Sequence, residues 1–229
     1  MTARRRQPAY DAVILAGGRA ARLDGTSKAG LVVGGARLLD RALAASSRAG
    51  QVVVVGPPSL AGALPARDPA SGHAGPVPGL TSEDPPYGGP VAGLAAGLRT
   101  LSGPGAPWVL LLAVDVPRAA QAIDHLELAV ARGPVDGAYL VRGGRAQWLV
   151  GLYRREALDA ALDGIETDGA PMKRLVGALR CVEVPDRARW SDDIDTPADA
   201  ARLGAAWPAA PARAAAPAAD RRTRRKDAG

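Results

Sequence analysis

Two short runs of the chain, Val52–Val55 and Trp108–Ala113, contain only apolar residues. An unbroken apolar run of this length is typical of a strand that is covered on both faces. Similar runs alternate along the chain with segments whose apolar residues recur at helical spacing. This alternation predicts an α/β fold, a single Rossmann-like three-layer domain in which helices cover both faces of a mostly parallel sheet.

We predict six strands and six helices from these patterns. The predicted strands are Ala12–Leu15, Val52–Val55, Trp108–Ala113, Gly137–Val141, Leu149–Tyr153 and Cys181–Val184. The predicted helices are Leu38–Arg48, Val91–Leu101, Ala119–Ala131, Arg155–Leu162, Met172–Leu179 and Pro197–Leu203. Residues 57–90 are rich in proline and glycine and show little periodicity, which predicts an extended loop.

The net charge of +6 is concentrated at the two ends of the chain. Residues 1–9 carry +3 and residues 208–229 carry +4, so the charge between them is close to zero. We predict a flexible basic arm over 1–9, one folded domain over 10–207 and a disordered Ala/Pro/Arg tail over 208–229. A nucleic-acid-binding domain carries positive charge on its folded body, so this distribution argues against a specific nucleic-acid partner.

The residue inventory disfavours three kinds of protein. The single cysteine, Cys181, lies in an apolar run and is predicted to be a strand residue, which excludes a disulfide framework and a cysteine-based zinc site. The two histidines, His73 and His125, lack the spacing of metal ligands. No apolar run reaches the roughly 18–20 residues needed to cross a bilayer, and we predict a cytoplasmic protein without membrane contact.

The loop that follows the first predicted strand combines adjacent glycines with cations. Gly17 and Gly18 let backbone N–H groups approach an anion closely, because no Cβ stands in the way. The cations Arg19, Arg22 and Lys28 follow within the same loop, as a triphosphate site requires. The chain has three lysines against 26 arginines, so a lysine here indicates a need for a compact point charge. The pattern matches neither the P-loop nor the dinucleotide fingerprint, and an ordinary basic connection remains the alternative.

Two further acidic places follow predicted strands or precede a predicted helix. Glu83 and Asp84 precede a Gly-Gly-Pro turn that opens a helix, whose positive end can face an anionic group. Asp115 ends the most hydrophobic predicted strand, where a carboxylate needs solvent or a cation. Since Mg²⁺ in phosphate chemistry takes one or two carboxylates plus substrate oxygens, Asp115 is a candidate Mg²⁺ ligand, with a solvated turn residue as the alternative.

A fourth acidic segment lies near the end of the predicted domain. Thr196 and Asp199 flank Pro197 in the pattern of an N-terminal capping box, with Asp in place of Glu. This structural role leaves Asp193 and Asp195 unexplained. They share a face in an extended segment, and acids crowded together need solvent or a counter-cation.

These four places, in this order, resemble the molybdenum cofactor guanylyltransferase family of the MobA-like nucleotidyltransferases. The matching segments are Leu15-Ala16-Gly17-Gly18 with Arg22 and Lys28, Glu83-Asp84 with Gly89-Pro90-Val91-Ala92-Gly93, Ala113-Val114-Asp115-Val116-Pro117, and Asp193-Ile194-Asp195-Thr196-Pro197-Ala198-Asp199. The resemblance covers the chain from about Tyr10 to Leu203. The first motif is shared across the nucleotidyltransferase superfamily, whereas the ordered set of four is more specific.

The resemblance implies a Rossmann-like enzyme that transfers GMP from GTP to the phosphate of molybdopterin and releases pyrophosphate with Mg²⁺ as cofactor. The implied nucleotide-binding residues are Leu15, Ala16, Gly17, Gly18, Lys28, Asp84 and Asp115. Arg22 and Lys28 would neutralise the triphosphate and the departing pyrophosphate, and Asp115 would bind Mg²⁺. Apo-molybdoenzymes are the partners that would receive the product. The Gly17-Gly18 pair is similar to the guanylyl branch, since cytidylyl relatives tend to carry Ala before the second glycine.

The chain departs from the family pattern at several positions. Ser27 precedes the lysine where Asp is usual, and Val55 stands at the position of an Asn near the base. The late Asn-x-Asn pattern becomes Asp193-Ile194-Asp195, and its two acids are candidates for an acceptor contact or a second metal contact. Trp148 stands where proline is usual, on the acceptor side.

Other readings stay open at this point. The same enzyme class could transfer CMP to molybdopterin, or a nucleotide to a sugar phosphate or another phosphate acceptor. A different class would be a non-catalytic nucleotide-binding module that delivers cofactor, and its mark would be a missing catalytic carboxylate. The presence of Asp115 argues against it.

Overall fold

The computed structural model describes residues 7–17, 22–23, 26–65, 75–205 and 207. The strands within these ranges are Tyr10–Leu15 (β1), Arg22–Leu23 (β2), Thr26–Ser27 (β3), Val32–Val33 (β4), Ala36–Arg37 (β5), Val52–Val55 (β6), Gly79–Thr81 (β7), Trp108–Ala113 (β8), Gly137–Arg142 (β9), Arg145–Arg154 (β10) and Cys181–Pro185 (β11). The helices are Leu38–Ala45 (α1), Gly89–Thr100 (α2), Ile123–Val130 (α3), Arg155–Asp163 (α4), Met172–Val176 (α5) and Pro197–Leu203 (α6). The predicted tail and most of the predicted arm lie outside the described residues.

Seven of the described strands form one sheet in the order β11-β9-β10-β8-β1-β6-β7. β1 is parallel to both of its neighbours, with Ala12 opposite Val52 on β6 and Leu110 on β8. β10 runs antiparallel to β8 and β9, and the remaining pairs are parallel. The predicted α/β class and mostly parallel sheet are confirmed, with β10 as the antiparallel strand.

The sheet divides the core into two layers, because successive side chains of a strand point to opposite faces. On β8, Leu110 and Leu112 pack with α1 and α3, whereas Val109 and Leu111 pack with α2, α4 and α5. The four valines of β6 divide between the two layers in the same alternating way. This double burial explains why both strands are apolar without interruption, and it gives the three-layer arrangement that the sequence predicts.

The prediction of an extended loop over residues 57–90 was wrong in part. A 3-10 segment spans Pro58–Ala63, and β7 pairs with β6 through Leu80 opposite Val54. β7 has only three residues and lies at the edge of the sheet, so it carries no periodic pattern of its own. Its pairing comes from the tertiary structure rather than from a local preference.

Three of the predicted helices are shorter in the structure, and the fifth ends at Val176 rather than at Leu179. The first ends at Ala45 rather than at Arg48. The third begins with a 3-10 turn, Ala119–Ala122, before the α-helix starts at Ile123. None of the helices in the described ranges is both long and apolar enough to cross a membrane.

Candidate active site

The candidate site lies at the carboxyl ends of β1, β6 and β8. The connection from β1 to β6 carries α1 on one face of the sheet, whereas α2 covers the opposite face before β8 returns to the other side of β1. Neighbouring parallel strands whose connections leave on opposite faces open a crevice at their carboxyl ends. The chain therefore places the loop after β1 and the loop after β8 on either side of one crevice.

A cavity of about 210 Å³ occupies this crevice. Its wall is formed by Leu15, Gly17, Lys28, Val55, Glu83, Gly89, Pro90, Gly93, Ala113, Val114, Asp115 and Leu149. A Cβ on Gly93 would lie 3.2 Å from Leu15 Cδ2 and 3.3 Å from Glu83 Oε2, so glycine allows the first turns of α2 to lie close to β1. Three of the wall residues are glycines, and most of the others are apolar.

Lys28 is the charge at the centre of the site. Its side chain is only 2% exposed, and its Nζ lies 3.2 Å from Asp115 Oδ2 and also contacts Asp195 Oδ1. Burial lowers the pKa of Lys28, but the hydrogen bonds and negative charges of Asp195 and Asp115 outweigh burial and raise the pKa above its ordinary value. Lys28 is therefore a permanently charged ammonium that is held within the protein.

The carboxylates around Lys28 are more numerous than the cation can neutralise. Burial raises the pKa of Asp115, and the nearby Lys28 offsets only part of this effect. Burial also raises the pKa of Asp193, and the negative charges of Asp195 and Asp115 add to the increase. Asp115 and Asp195 contact the one ammonium and Asp193 lies near both acids, which leaves an excess of negative charge that a further cation would balance.

The segment that carries Asp193 and Asp195 is held in place by its neighbours. Ile194 is fully buried, and its N–H donates to the Asp115 carbonyl at 3.1 Å. The carboxylate of the buried Asp192 contacts the guanidinium groups of Arg142, Arg189 and Arg202. This segment is therefore attached both to the loop after β8 and to a cluster of arginines.

The predicted capping box begins directly after this segment and is confirmed. Thr196 Oγ1 accepts from the Asp199 N–H at 3.1 Å, and Asp199 Oδ2 accepts from the Thr196 N–H at 3.0 Å. The helix start fixes the chain immediately after Asp195, which directs that acid toward Lys28.

A second cavity of about 500 Å³ adjoins the first. The two cavities share the residues Pro90, Ala113, Asp115 and Leu149. The rest of the second wall consists of Val116, Ala146, Gln147, Trp148, Val150, Pro171, Met172, Ser191, Asp193 and Asp195. Asp115 thus stands at the boundary between two compartments, as expected for a group that acts where two substrates meet.

The donor set fits a divalent cation only if a ligand completes the coordination. In the described part of the chain, no group of three or more His, Cys, Asp or Glu side chains is arranged to hold a metal ion by itself. Mg²⁺ in phosphate chemistry takes one or two carboxylates and fills the remaining positions with water and phosphate oxygens. Asp115 together with an acid of the Asp193–Asp195 segment meets that requirement, and the excess negative charge favours it.

The structure brings most of the predicted site residues together. Leu15, Gly17, Lys28 and Asp115 line the first cavity, and Asp193 and Asp195 line the second. Ala16 is buried beneath the first cavity, and its N–H donates to the Val55 carbonyl at 2.8 Å. Gly18 and Arg19 lie outside the described residues, and of Arg22 only the backbone, in β2, is described.

The acidic pair before α2 is arranged differently from the sequence-based expectation. Asp84 is exposed and is absent from both cavity walls, whereas its neighbour Glu83 lines the first cavity. The Glu83 carboxylate accepts from the Tyr87 N–H at 2.8 Å. Met172 and Gln147 are further wall residues that sequence reasoning missed, and nothing in their local patterns distinguishes them from core or surface positions.

Cys181 lies outside both cavity walls and is half-buried at the start of β11. Burial raises the pKa of its thiol to about 12, with a smaller contribution from the negative charge of Asp136.

We expect iodoacetamide to alkylate Cys181 of the folded protein at pH 8 about a thousandfold more slowly than Cys181 of the urea-unfolded chain, because the thiolate is the reactive form. Mass spectrometry of timed samples measures both rates, and equal rates would contradict the predicted structural role of this cysteine.

Comparison with known proteins agrees with this geometry. The family model of the MobA-like NTP transferase domain matches residues 12–182. A molybdenum cofactor guanylyltransferase from Acidiphilium cryptum is 38% identical over 156 residues, which make up 67% of this chain and 72% of that protein.

Solved structures show the same fold. The molybdopterin-guanine dinucleotide biosynthesis protein A from Archaeoglobus fulgidus is similar with a TM-score of 0.60 at 22% identity, over 85% of this chain and 96% of that one. The 2-C-methyl-D-erythritol 4-phosphate cytidylyltransferase from Thermus thermophilus is similar with a TM-score of 0.58 at 21% identity, over 86% of this chain and 97% of that one. Proteins named for different nucleotides thus share this architecture.

Proposed function

Because the chain belongs to the MobA-like NTP transferase family and is a nucleotidyltransferase, we propose that it transfers GMP from GTP to the phosphate of molybdopterin and releases pyrophosphate. The observation that carries this proposal is the placement of Asp115 at the boundary of two joined cavities, in contact with Lys28 of the first cavity. The name of the relative from Acidiphilium cryptum supports the choice of both substrates.

The first cavity is the proposed nucleotide compartment. The backbone around Leu15 and Gly17 lies at its mouth, and Gly93 keeps the start of α2 close by. Ala16, Gly18 and Asp84 belong to the same proposed set by their place in the matching motifs. We assign Arg22 and Lys28 to the triphosphate, where their charges offset the negative charge that develops on the departing pyrophosphate.

The second cavity is the proposed acceptor compartment. An acceptor phosphate that enters at the Asp115 boundary meets the α-phosphate of a nucleotide in the first cavity. Since the acceptor supplies its own nucleophilic oxygen, the protein needs to position and neutralise rather than to form a covalent bond. Asp115 and Asp195 line this compartment and hold the Lys28 ammonium, which lies in the wall of the nucleotide compartment.

Mg²⁺ is the proposed cofactor, and Asp115 with Asp193 or Asp195 would hold it. When bound, Mg²⁺ neutralises charge on phosphate oxygens and polarises the reacting phosphorus centre. The acids themselves keep a negative potential at the boundary, which attracts the cation before the nucleotide arrives.

A second candidate is cytidylyl transfer. Val55 lines the nucleotide compartment with an apolar side chain that offers no hydrogen bond to any base, so this position does not select guanine over cytosine. The protein from Thermus thermophilus that shares this fold is named a cytidylyltransferase, which supports keeping this candidate. Base choice therefore needs a direct test.

We expect incubation with Mg²⁺, molybdopterin and GTP to yield a guanine dinucleotide product and pyrophosphate, both detected by mass spectrometry. A parallel reaction with CTP tests the second candidate, and omission of Mg²⁺ tests the cofactor. A cytosine product in place of the guanine one would overturn the assigned base. Nucleotide binding without any product from either reaction would overturn molybdopterin as the acceptor.

A further inference from the structure

Trp148 is the largest side chain in the wall of the acceptor compartment, and its position is defined by an unusual stretch of β10. The register between β10 and β9 shifts between Gln147 and Gly151, which marks a bulge. Bulges next to a site commonly redirect a side chain. Trp148 lies within this bulge and lines the cavity while remaining half-buried.

The bulge is held by a contact that depends on glycine. The fully buried Tyr153 donates from its hydroxyl to the Trp148 carbonyl at 2.8 Å. A Cβ on Gly151 would lie 2.5 Å from that hydroxyl oxygen, so the tyrosine ring occupies the space that any other residue would fill. The backbone of Trp148 is therefore fixed from the interior of the protein.

The indole ring is supported from one side as well. Tyr139 meets it edge to face, with ring centroids 6.5 Å apart and an interplanar angle of 69°. This is a favoured geometry for aromatic pairs. A ring that is already held in place loses little conformational entropy when a ligand stacks on it.

The rest of the compartment wall contains both apolar and polar side chains. Met172, Pro171 and Leu149 are apolar, as is the ring of Trp148. Gln147, Ser191 and the two acids of the 193–195 segment supply polar groups. Aromatic and thioether surfaces suit a flat ring, and carboxylate and amide oxygens accept hydrogen bonds from ring N–H and amino groups.

We propose that Trp148 is the stacking platform for a flat, nitrogen-rich heterocycle in the acceptor and that it selects acceptors carrying such a ring. This inference rests on the proposed function, because it concerns the acceptor compartment of that reaction. The phosphate end of the acceptor lies toward Lys28, the cation that contacts Asp115 where the two cavities meet. Acceptors built on a sugar or an open chain lack the ring and lose the stacking contact.

The test compares Trp148→Leu, which removes the aromatic face, with Trp148→Phe, which keeps one. Trp190→Phe is the matched control, because Trp190 stacks near His125 with ring centroids 4.6 Å apart and is absent from both cavity walls. The binding probe is 6-hydroxymethylpterin, measured by equilibrium dialysis through its own fluorescence. GTP binding and the KM for each substrate are measured in parallel.

We expect Trp148→Leu to weaken pterin binding and to raise the KM for molybdopterin by about 10- to 100-fold, the range for loss of one stacked ring. The KM for GTP and GTP binding stay unchanged, Trp148→Phe recovers most of the loss, and Trp190→Phe behaves as wild type. Wild-type pterin binding in Trp148→Leu would overturn the platform and leave the proposed function intact. A wild-type protein that binds GTP but neither pterin nor molybdopterin would overturn both.

Discussion

Replacement of Asp115 by Asn will lower kcat by about a thousandfold while leaving the protein as stable as the wild type or more stable. The loss of activity follows because Asp115 stands at the boundary of both compartments and bonds Lys28. The gain in stability follows because burial raises the pKa of this carboxyl, so its ionised form is disfavoured in the folded protein.

The effect of Asp115→Asn on the free energy of unfolding depends on pH. A carboxyl whose pKa is higher in the folded state contributes stability at low pH, and this contribution is lost as the pH rises above the unfolded value. At pH 7.5 the wild type must keep the buried Asp115 carboxyl ionised, which lowers its free energy of unfolding. The Asn variant has no charge to bury. Lys28 keeps Asp195 as a partner in the variant, so no cation is left unpaired.

Asp136→Asn is the matched control for this prediction. Asp136 accepts hydrogen bonds from the Arg180 backbone and guanidinium, which lower the pKa of its carboxyl, and it lies outside both cavity walls. Its ionised form is therefore favoured by folding, and Asn there should preserve turnover without raising Tm. Thermal unfolding without divalent cations and initial rates with Mg²⁺ measure both variants. Wild-type turnover in Asp115→Asn would remove Asp115 from the reaction.

The strands were predictable because the apolar residues of each segment indicate that it is buried. All six predicted strands are present, since apolar runs such as Val52–Val55 are unbroken where both faces are covered. The antiparallel direction of β10 and the short edge strand β7 were not predictable. Both depend on the neighbouring strands, β8 and β6, which a local sequence pattern does not identify. The 3-10 turns within proline-rich segments were not predictable for the same reason.

Most of the individual site residues were predictable from the sequence, but the contacts between them were not. Asp115 and the loop after β1 were each identified from the sequence, and they lie near one another because both follow parallel strands whose carboxyl ends meet at one edge. The contact between Lys28 and Asp195 joins residues 167 positions apart, and only the folded chain reveals it. The choice between Glu83 and Asp84 depends on the backbone turn before α2, so adjacent acids could not be told apart.

Replacement of Lys28 by Met is expected to lower kcat at least as strongly as Asp115→Asn does, but to have the opposite effect on stability. Met fills a similar volume, so the change is mainly one of charge. The variant leaves Asp115 and Asp195 without their ammonium, and removing one partner of a buried ion pair costs about 3–5 kcal/mol. Because Asp195 is about half exposed at 55%, solvent screens part of this loss, and we expect about 3 kcal/mol.

This loss of stability should depend on pH. In Lys28→Met the charge that lowered the pKa of Asp115 is gone, so the pKa of that carboxyl rises further above its unfolded value. The folded variant then binds protons more tightly than the unfolded chain, and its stability falls as the pH rises through the interval between the two values. We expect a Tm about 10 °C below wild type at pH 7.5 and a smaller gap at pH 5.

A double variant separates charge from packing. Adding Asp115→Asn to Lys28→Met removes one of the uncompensated carboxylates, so part of the lost stability should return, with a coupling between the two changes of about 1 kcal/mol or more. Calorimetry of the four proteins of this cycle at pH 5 and pH 7.5 measures that coupling. A Tm gap that is the same at both pH values, together with additive effects in the double variant, would show that Lys28 fills space at the site rather than neutralising its acids.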